Sequence, residues 1–291
     1  MRTMSYKPLL ALLLLLASPV IGRAAPVSVV AAENFYGDVA EAIAGDRATV
    51  HSILSNPNTD PHFFEASPSV ARALAGADIV VVNGEGYDPW MQTLLGASAR
   101  PGRQVLVVAD LVHASPGGNP HLWYAPATMP EVARALAAAL TRQDPAGAAT
   151  YASRLDGVLK ALHRLDERVA VLRARLGGRP VTATEPVFGL MAQAIGLTMR
   201  NERFQLAVMN DTEPRASDVA AMEADLRGHQ VGALLYNAQV TDASTQRLLG
   251  IARDAGVPVV GVTETLPPNT HYASWMLDQL TAVAIALHAG S

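Results

Sequence analysis

The chain is predicted to be an α/β protein with two parallel-sheet lobes joined by one long rigid helix. Three observations predict it. Short apolar, β-rich runs alternate with amphipathic helical patterns, this alternation occurs in two separate series, and a single helical stripe lies between them.

The elements follow in order. Arg2 and Lys7 lead a wholly apolar run at residues 9–16, and Gly22-Arg23-Ala24-Ala25 then offers small residues for cleavage. That is a signal-peptide pattern, so residues 1–25 are expected to be removed near Ala24 or Ala25 and the protein to work in the periplasm. The apolar run is shorter than the roughly 20 residues of a spanning helix. The first lobe is expected over residues 26–143, with strands at 27–32, 48–54, 77–83 and 104–110 and helices at 36–44, 68–75, 89–95 and 130–140. The second is expected over 179–291, with strands at 180–184, 197–200, 231–237 and 257–262 and helices at 214–226, 241–255 and 272–287.

Residues 144–178 form the link. Tyr151, Leu155, Val158, Leu162, Leu165, Val169, Leu172 and Leu176 step by three or four, which is one face of a continuous helix. Asp144-Pro145 opens it and Gly177-Gly178 closes it. A flexible linker would be polar and rich in glycine and serine; this stripe predicts a stiff connection with little freedom to hinge. Coiled-coil pairing through the stripe is the competing reading, but the stripe is short for one, and a monomer is expected.

Composition narrows the function. The chain has no cysteine, which removes disulfides, thiolate metal sites, a thiol nucleophile and a lipid on an N-terminal cysteine. A formal net charge of −4 gives no broad basic field, so nucleic acid is not an expected partner.

Four residues carry the chemistry: His62, His121, Glu185 and Glu264. Each falls just past an apolar strand-like run, where an open α/β sheet presents its ligand site. His62 lies in Asp60-Pro61-His62-Phe63-Phe64 and His121 in Asn119-Pro120-His121-Leu122-Trp123-Tyr124. In both, a proline restrains the backbone before the histidine, and aromatic neighbours follow that can keep water off a bound ion. Two neutral imidazoles and two carboxylates suit a divalent transition ion. Asn237-Ala238-Gln239 ends a strand and offers amides to the same cleft. His51, His113, His163, His229, His271 and His288 lack the Pro-His-aromatic setting and read as ordinary histidines; His271, seven residues after Glu264, is the first alternative ligand.

These residues resemble a known family. Asp60-Pro61-His62, the run Gly76-Ala77-Asp78-Ile79-Val80-Val81-Val82-Asn83-Gly84, Gly118-Asn119-Pro120-His121-Leu122-Trp123 and the long helix are similar to the metal-binding proteins of zinc and manganese ABC importers, the cluster A-I solute-binding family. The resemblance covers the whole mature chain. It implies two lobes clamping one Mn2+ or Zn2+ ion, delivery to a membrane permease and no enzymatic activity. His62 and His121 match the family's two histidines of the first lobe. Glu185 stands where zinc-type members usually carry a third histidine and manganese-type members carry glutamate. Glu264 replaces the usual aspartate, although the register also admits Thr263. The His-rich loop of many zinc-specific members is missing, since residues 110–120 hold only His113.

Two other classes remain beside a metal carrier. A metal-dependent hydrolase would use the same donors around an activated water, but no His-Glu-x-x-His, Gly-x-Ser-x-Gly or P-loop is present. A binder of an organic solute would not require the two Pro-His loops.

Overall fold

The computed structural model describes residues 26–56, 64, 66–240 and 242–288; the expected signal peptide and His62 lie outside them. The first series runs β1 (Val27–Glu33), α1 (Asn34–Ala44), β2 (Ala48–Leu54), α2 (Pro68–Gly76), β3 (Ile79–Val82), α3 (Pro89–Ala97), β4 (Gln104–Val107), α4 (Val108–Leu111) and α5 (Thr128–Gln143). After α6 (Ala148–Leu176) come β5 (Pro180–Ala183), α7 (Gly189–Ala194), β6 (Thr198–Arg200), α8 (Glu202–Met209), α9 (Ala216–Arg227), β7 (Leu234–Asn237), α10 (Ala243–Asp254), β8 (Val259–Val262) and α11 (Tyr272–Ala286).

Each series folds into a four-stranded sheet, ordered β2-β1-β3-β4 and β6-β5-β7-β8, and every pairing is parallel. In both sheets the strand order reverses beside the first strand of the series. The crevice beyond the carboxyl ends at that point is the natural ligand position of an open α/β sheet.

The strand at 104–110 is shorter than expected. The ladder ends at Val107 and α4 follows, because the Ala109 N–H donates to the Asn83 carbonyl (2.9 Å) and the chain turns off the sheet edge. The runs at 77–83, 231–237 and 257–262 begin before their ladders do. Ala77, Val231 and Val257 are buried approaches to β3, β7 and β8, where apolar patterning marks burial rather than pairing.

The long stripe of the linker folds as read. Helix α6 has 29 residues, about 44 Å at 1.5 Å per residue. Tyr151, Leu162, Leu165, Leu172 and Leu176 are buried, and Leu155, Val158 and Val169 pack half-buried beside them. Gly178 follows with φ +82°, a left-handed turn that lets the chain enter β5. The helix packs on α1 and α5 of the first lobe and on α11 of the second, and one apolar core runs from Val27 to Leu287 through all of them.

Polar clasps join the lobes beside that core. Asn34 donates to the Leu266 carbonyl (2.8 Å) and accepts from the Leu266 N–H (2.9 Å). Asp38 of α1 accepts from the Tyr272 N–H (2.9 Å) and pairs with the His271 Nδ1 (2.6 Å). His271, the alternative ligand offered by the sequence, is thus an exposed residue on the lobe junction whose ring pairs with Asp38.

The Asp38 carboxylate raises the His271 pKa above its ordinary value. A raised imidazole pKa stabilises the fold fully below about 6.5 and loses that contribution as pH climbs through the raised value. His271→Ala should therefore lower stability more at about pH 6 than at about pH 8. Because the ring is largely in water, the loss should be under about 1 kcal/mol. Urea midpoints at the two pH values read this directly, and an equal loss at both would remove the ion pair from the account.

Candidate metal centre

Three of the four sequence-predicted donors meet at the facing carboxyl ends of the two sheets. Of the described histidines His121 alone is buried, at 0% exposure; Glu185 is 5% and Glu264 0% exposed. His121 precedes a 3-10 turn, Leu122–Tyr124, whose aromatic side chains enter the core. Trp123 lies edge-on to the imidazole with ring centres 5.4 Å apart, and Phe35 stacks on the other side of Trp123 at 4.4 Å. The aromatic residues after the histidine thus pin its backbone as much as they shield it.

The imidazole tautomer follows from Asn119. The Asn119 Nδ2 donates to the Pro186 carbonyl (2.7 Å), so its Oδ1 faces His121 and accepts from the His121 backbone N–H (3.0 Å) and from Nδ1 (2.7 Å). Nδ1 therefore carries a proton, and in the neutral ring that ligation needs, Nε2 is the acceptor. It is buried, has no hydrogen-bond partner, and lies 3.4 Å from the Glu264 Oε2. Gly189 makes room for this link, since a Cβ there would come within 2.9 Å of the Asn119 amide.

The carboxylates are held by the second lobe and by one residue of the first. Asn237, at the end of β7, donates through Nδ2 to Glu264 (2.6 Å) and Glu185 (3.2 Å). Tyr87 reaches across from the first lobe to donate its hydroxyl to the Glu264 Oε2 (2.9 Å). Gln239 accepts the backbone N–H groups of Glu264 (2.6 Å) and Thr265 (3.1 Å), which fixes the turn after β8. Of the two amides suggested by the sequence, Asn237 reaches the carboxylates and Gln239 holds the turn behind them. Thr263 is engaged elsewhere: its hydroxyl accepts from Trp275 and donates to the Thr265 carbonyl, and its carbonyl accepts from Tyr124.

A lone pair on Nε2 facing a carboxylate oxygen is repulsive unless a proton or cation stands between them. An ion about 2.0–2.2 Å from a nitrogen and an oxygen at a tetrahedral angle separates them by about 3.4 Å, so the pair is already spaced for one. Among the described residues no three His, Asp or Glu side chains are grouped closely enough to hold a metal ion together. His113 is exposed, with φ +52°.

Sequence reading missed Tyr87 as a partner of Glu264 and Asn119 as the orienter of His121. Asn119 had a local signal, because Asn-Pro favours a turn in which the asparagine oxygen caps a nearby N–H. Tyr87 had only Gly84 and Gly86, whose positive φ values mark a tight turn after β3.

Two α/β lobes on a rigid helix, with an imidazole and two carboxylates where their strand ends face, define an ion-clamping binding protein. Residues 29–286 match the family described as zinc-uptake complex component A, periplasmic, and the chain belongs to that family. Its members are solute-binding components of metal ABC importers rather than enzymes. The chain is 30% identical over 146 residues to the manganese-binding lipoprotein MntA of Halalkalibacterium halodurans, a match that spans about half of each chain (48%). It is 23% identical over 279 residues, 88% of each chain, to the iron ABC transporter substrate-binding lipoprotein MtsA of Streptococcus pyogenes serotype M1. Its fold resembles that of the periplasmic zinc-binding protein TroA from Treponema pallidum, with a TM-score of 0.77 and 18% identity over 90% of this chain and 99% of that one.

Asn237→Ala would leave two buried carboxylates without their shared donor. The metal-free protein should lose about 1–3 kcal/mol of stability, measured by urea unfolding in chelator. An unchanged midpoint would show that the amide does not hold the pair.

Proposed function

We propose that this protein, exported and cleaved near Ala24 or Ala25, captures one divalent transition-metal ion in the periplasm and hands it to the membrane permease of an ABC importer. The ligands are His62, His121, Glu185 and Glu264. The observation that carries this reading is the buried, bare Nε2 of His121 set 3.4 Å from the Glu264 carboxylate, with Glu185 tied to the same Asn237 amide. An organic amine does not require that arrangement, a metal-dependent hydrolase would share it but lies outside the family of this chain, and two carboxylates neutralise a doubly charged ion without thiolates. His62 is assigned from its Pro-His-aromatic motif.

The donor set bears on the choice of metal. Raw affinity follows the Irving–Williams order, so zinc binds at least as tightly as manganese in most such sites. Two carboxylates in place of a third histidine and an aspartate favour a hard ion, and the relatives named above carry manganese, iron and zinc in their names. We assign manganese as the cargo and zinc as its strongest competitor. Metal analysis of protein taken from its native periplasm decides this; recovery of zinc alone, with no measurable manganese binding by the apo protein, would reverse the assignment while leaving the carrier role in place.

Alanine at His62, His121 or Glu185 should abolish stoichiometric binding while the fold persists, as read by metal analysis and circular dichroism. One tightly held ion in all three variants would place the site elsewhere. Metal at a hundredfold its Kd should stabilise the wild-type protein by about 2.7 kcal/mol, raising its melting temperature. Affinity should fall as pH drops, because protonation of the imidazoles competes with the ion.

A further inference from the structure

A further carboxyl, Glu33, lies at the carboxyl end of the first sheet and bonds to none of the candidate donors. Glu33 ends β1 in line with Val27, Val29 and Ala31, all of the central core, and it is wholly buried. Neither of its carboxyl oxygens has a hydrogen-bond partner. Continuing the β1–β3 register, in which Ala31 lies opposite Val81, sets Glu33 beside Asn83. Asn83 accepts from the Tyr36 hydroxyl (2.7 Å) and donates to the Pro120 carbonyl (2.9 Å), so it anchors the residue before His121.

The titratable groups facing Glu33 are Tyr36 of α1 and Tyr87 and Asp88 of the connection from β3 to α3. Burial raises the pKa of Asp88 as well, but Asp88 accepts the N–H groups of Asn83 (2.7 Å) and Gly84 (2.9 Å), which offset part of that rise and support its charge. Glu33 has no such donors from its neighbours. Burial first, and then the charge of Asp88, push its pKa well above the carboxylate range. Two nearby carboxyls in unlike settings divide the roles, one ionised and one neutral.

Tyr87 lies between this group and the centre. Its hydroxyl donates to Glu264 (2.9 Å), and burial first, then the charges of Glu264 and Glu33, oppose its ionisation, so it stays a neutral donor beside both. A strand position between core residues is filled more stably by an apolar side chain than by an acid with two unsatisfied oxygens. The acid gains a use when a divalent ion enters, because the local charge then rises by up to two units.

We propose that Glu33 is a proton-coupled carboxyl beside the metal centre, holding its proton while the centre is empty and releasing it to solvent when a divalent ion enters. The balance is one carboxylic acid and one aqueous ion going to one carboxylate, one bound ion and one proton in solvent. The inference rests on the metal-carrier reading.

The test is calorimetric titration of the apo protein with manganese(II) chloride in buffers of different ionisation enthalpy, which counts protons released per ion. Glu33→Gln is the neutral isostere of the protonated acid. It should still bind one ion but release one proton fewer, and its affinity should gain tenfold less per pH unit than the wild type's. Equal proton counts in the two proteins would overturn the role of Glu33 and leave the carrier reading standing. Absence of ion binding by the wild type would remove both. Should Glu33→Gln not fold, infrared difference spectra of the wild type serve instead. Loss of a carboxylic-acid C=O band on adding manganese is expected, and no loss overturns the proposal.

Discussion

The separation of the two sheets is the constraint on which the site depends. Donors on strand ends of different lobes form one ion cage only if the lobes hold their spacing to a fraction of an ångström. Helix α6 sets that spacing, because its apolar face is shared by α1, α5 and α11 within one continuous core. Changing the lobe angle would break core packing rather than flex a linker, and close-packed interiors resist such deformation. The clasps Asn34–Leu266 and Asp38–Tyr272 lie beside that core and hold the same relation with directional bonds.

Within that frame, buried charge is managed by neutral amides and hydroxyls. Asn237 spans both glutamates, Tyr87 reaches Glu264 from the other lobe, and Asn119 sets the tautomer of His121 while bonding to the carbonyl after Glu185. Each of these bonds carries no charge of its own. The centre thus keeps acceptor atoms aimed at one region without supplying a fixed cation to satisfy them. Arginine or lysine there would stabilise the empty form and compete with the ion. The Asn119 and Tyr87 bonds also cross between lobes, so the donors are oriented by both lobes together.

Low sequence identity beside a shared fold has a physical reading here. At 18% identity to a structural neighbour with a TM-score of 0.77, what persists is the pattern of strands buried on both faces and a helix with a long apolar stripe. Any apolar side chains of suitable volume satisfy those requirements. Metal-donor side chains are not interchangeable in that way, because oxygen-rich and nitrogen-rich sets suit different ions whatever fold holds them.

Much of the architecture was legible in the chain itself. The central strands are short buried apolar runs and were recognisable as such, whereas the edge strands β2 and β6, largely unburied, were recognisable from their place in the strand–helix alternation. The stripe from Tyr151 to Leu176 made the rigid helix recognisable because helical spacing is a local property. His121, Glu185 and Glu264 could be picked out because strand ends are where open sheets place ligands, and Pro-His marked one of them. The tertiary structure alone decided the rest. That Tyr87 meets Glu264, 177 residues away, that His271 serves Asp38 on the lobe junction, and that Glu33 is sealed beside Asn83 depend on how two sheets face each other. No local spacing encodes such contacts, because they arise between elements whose patterns would read the same in any other packing.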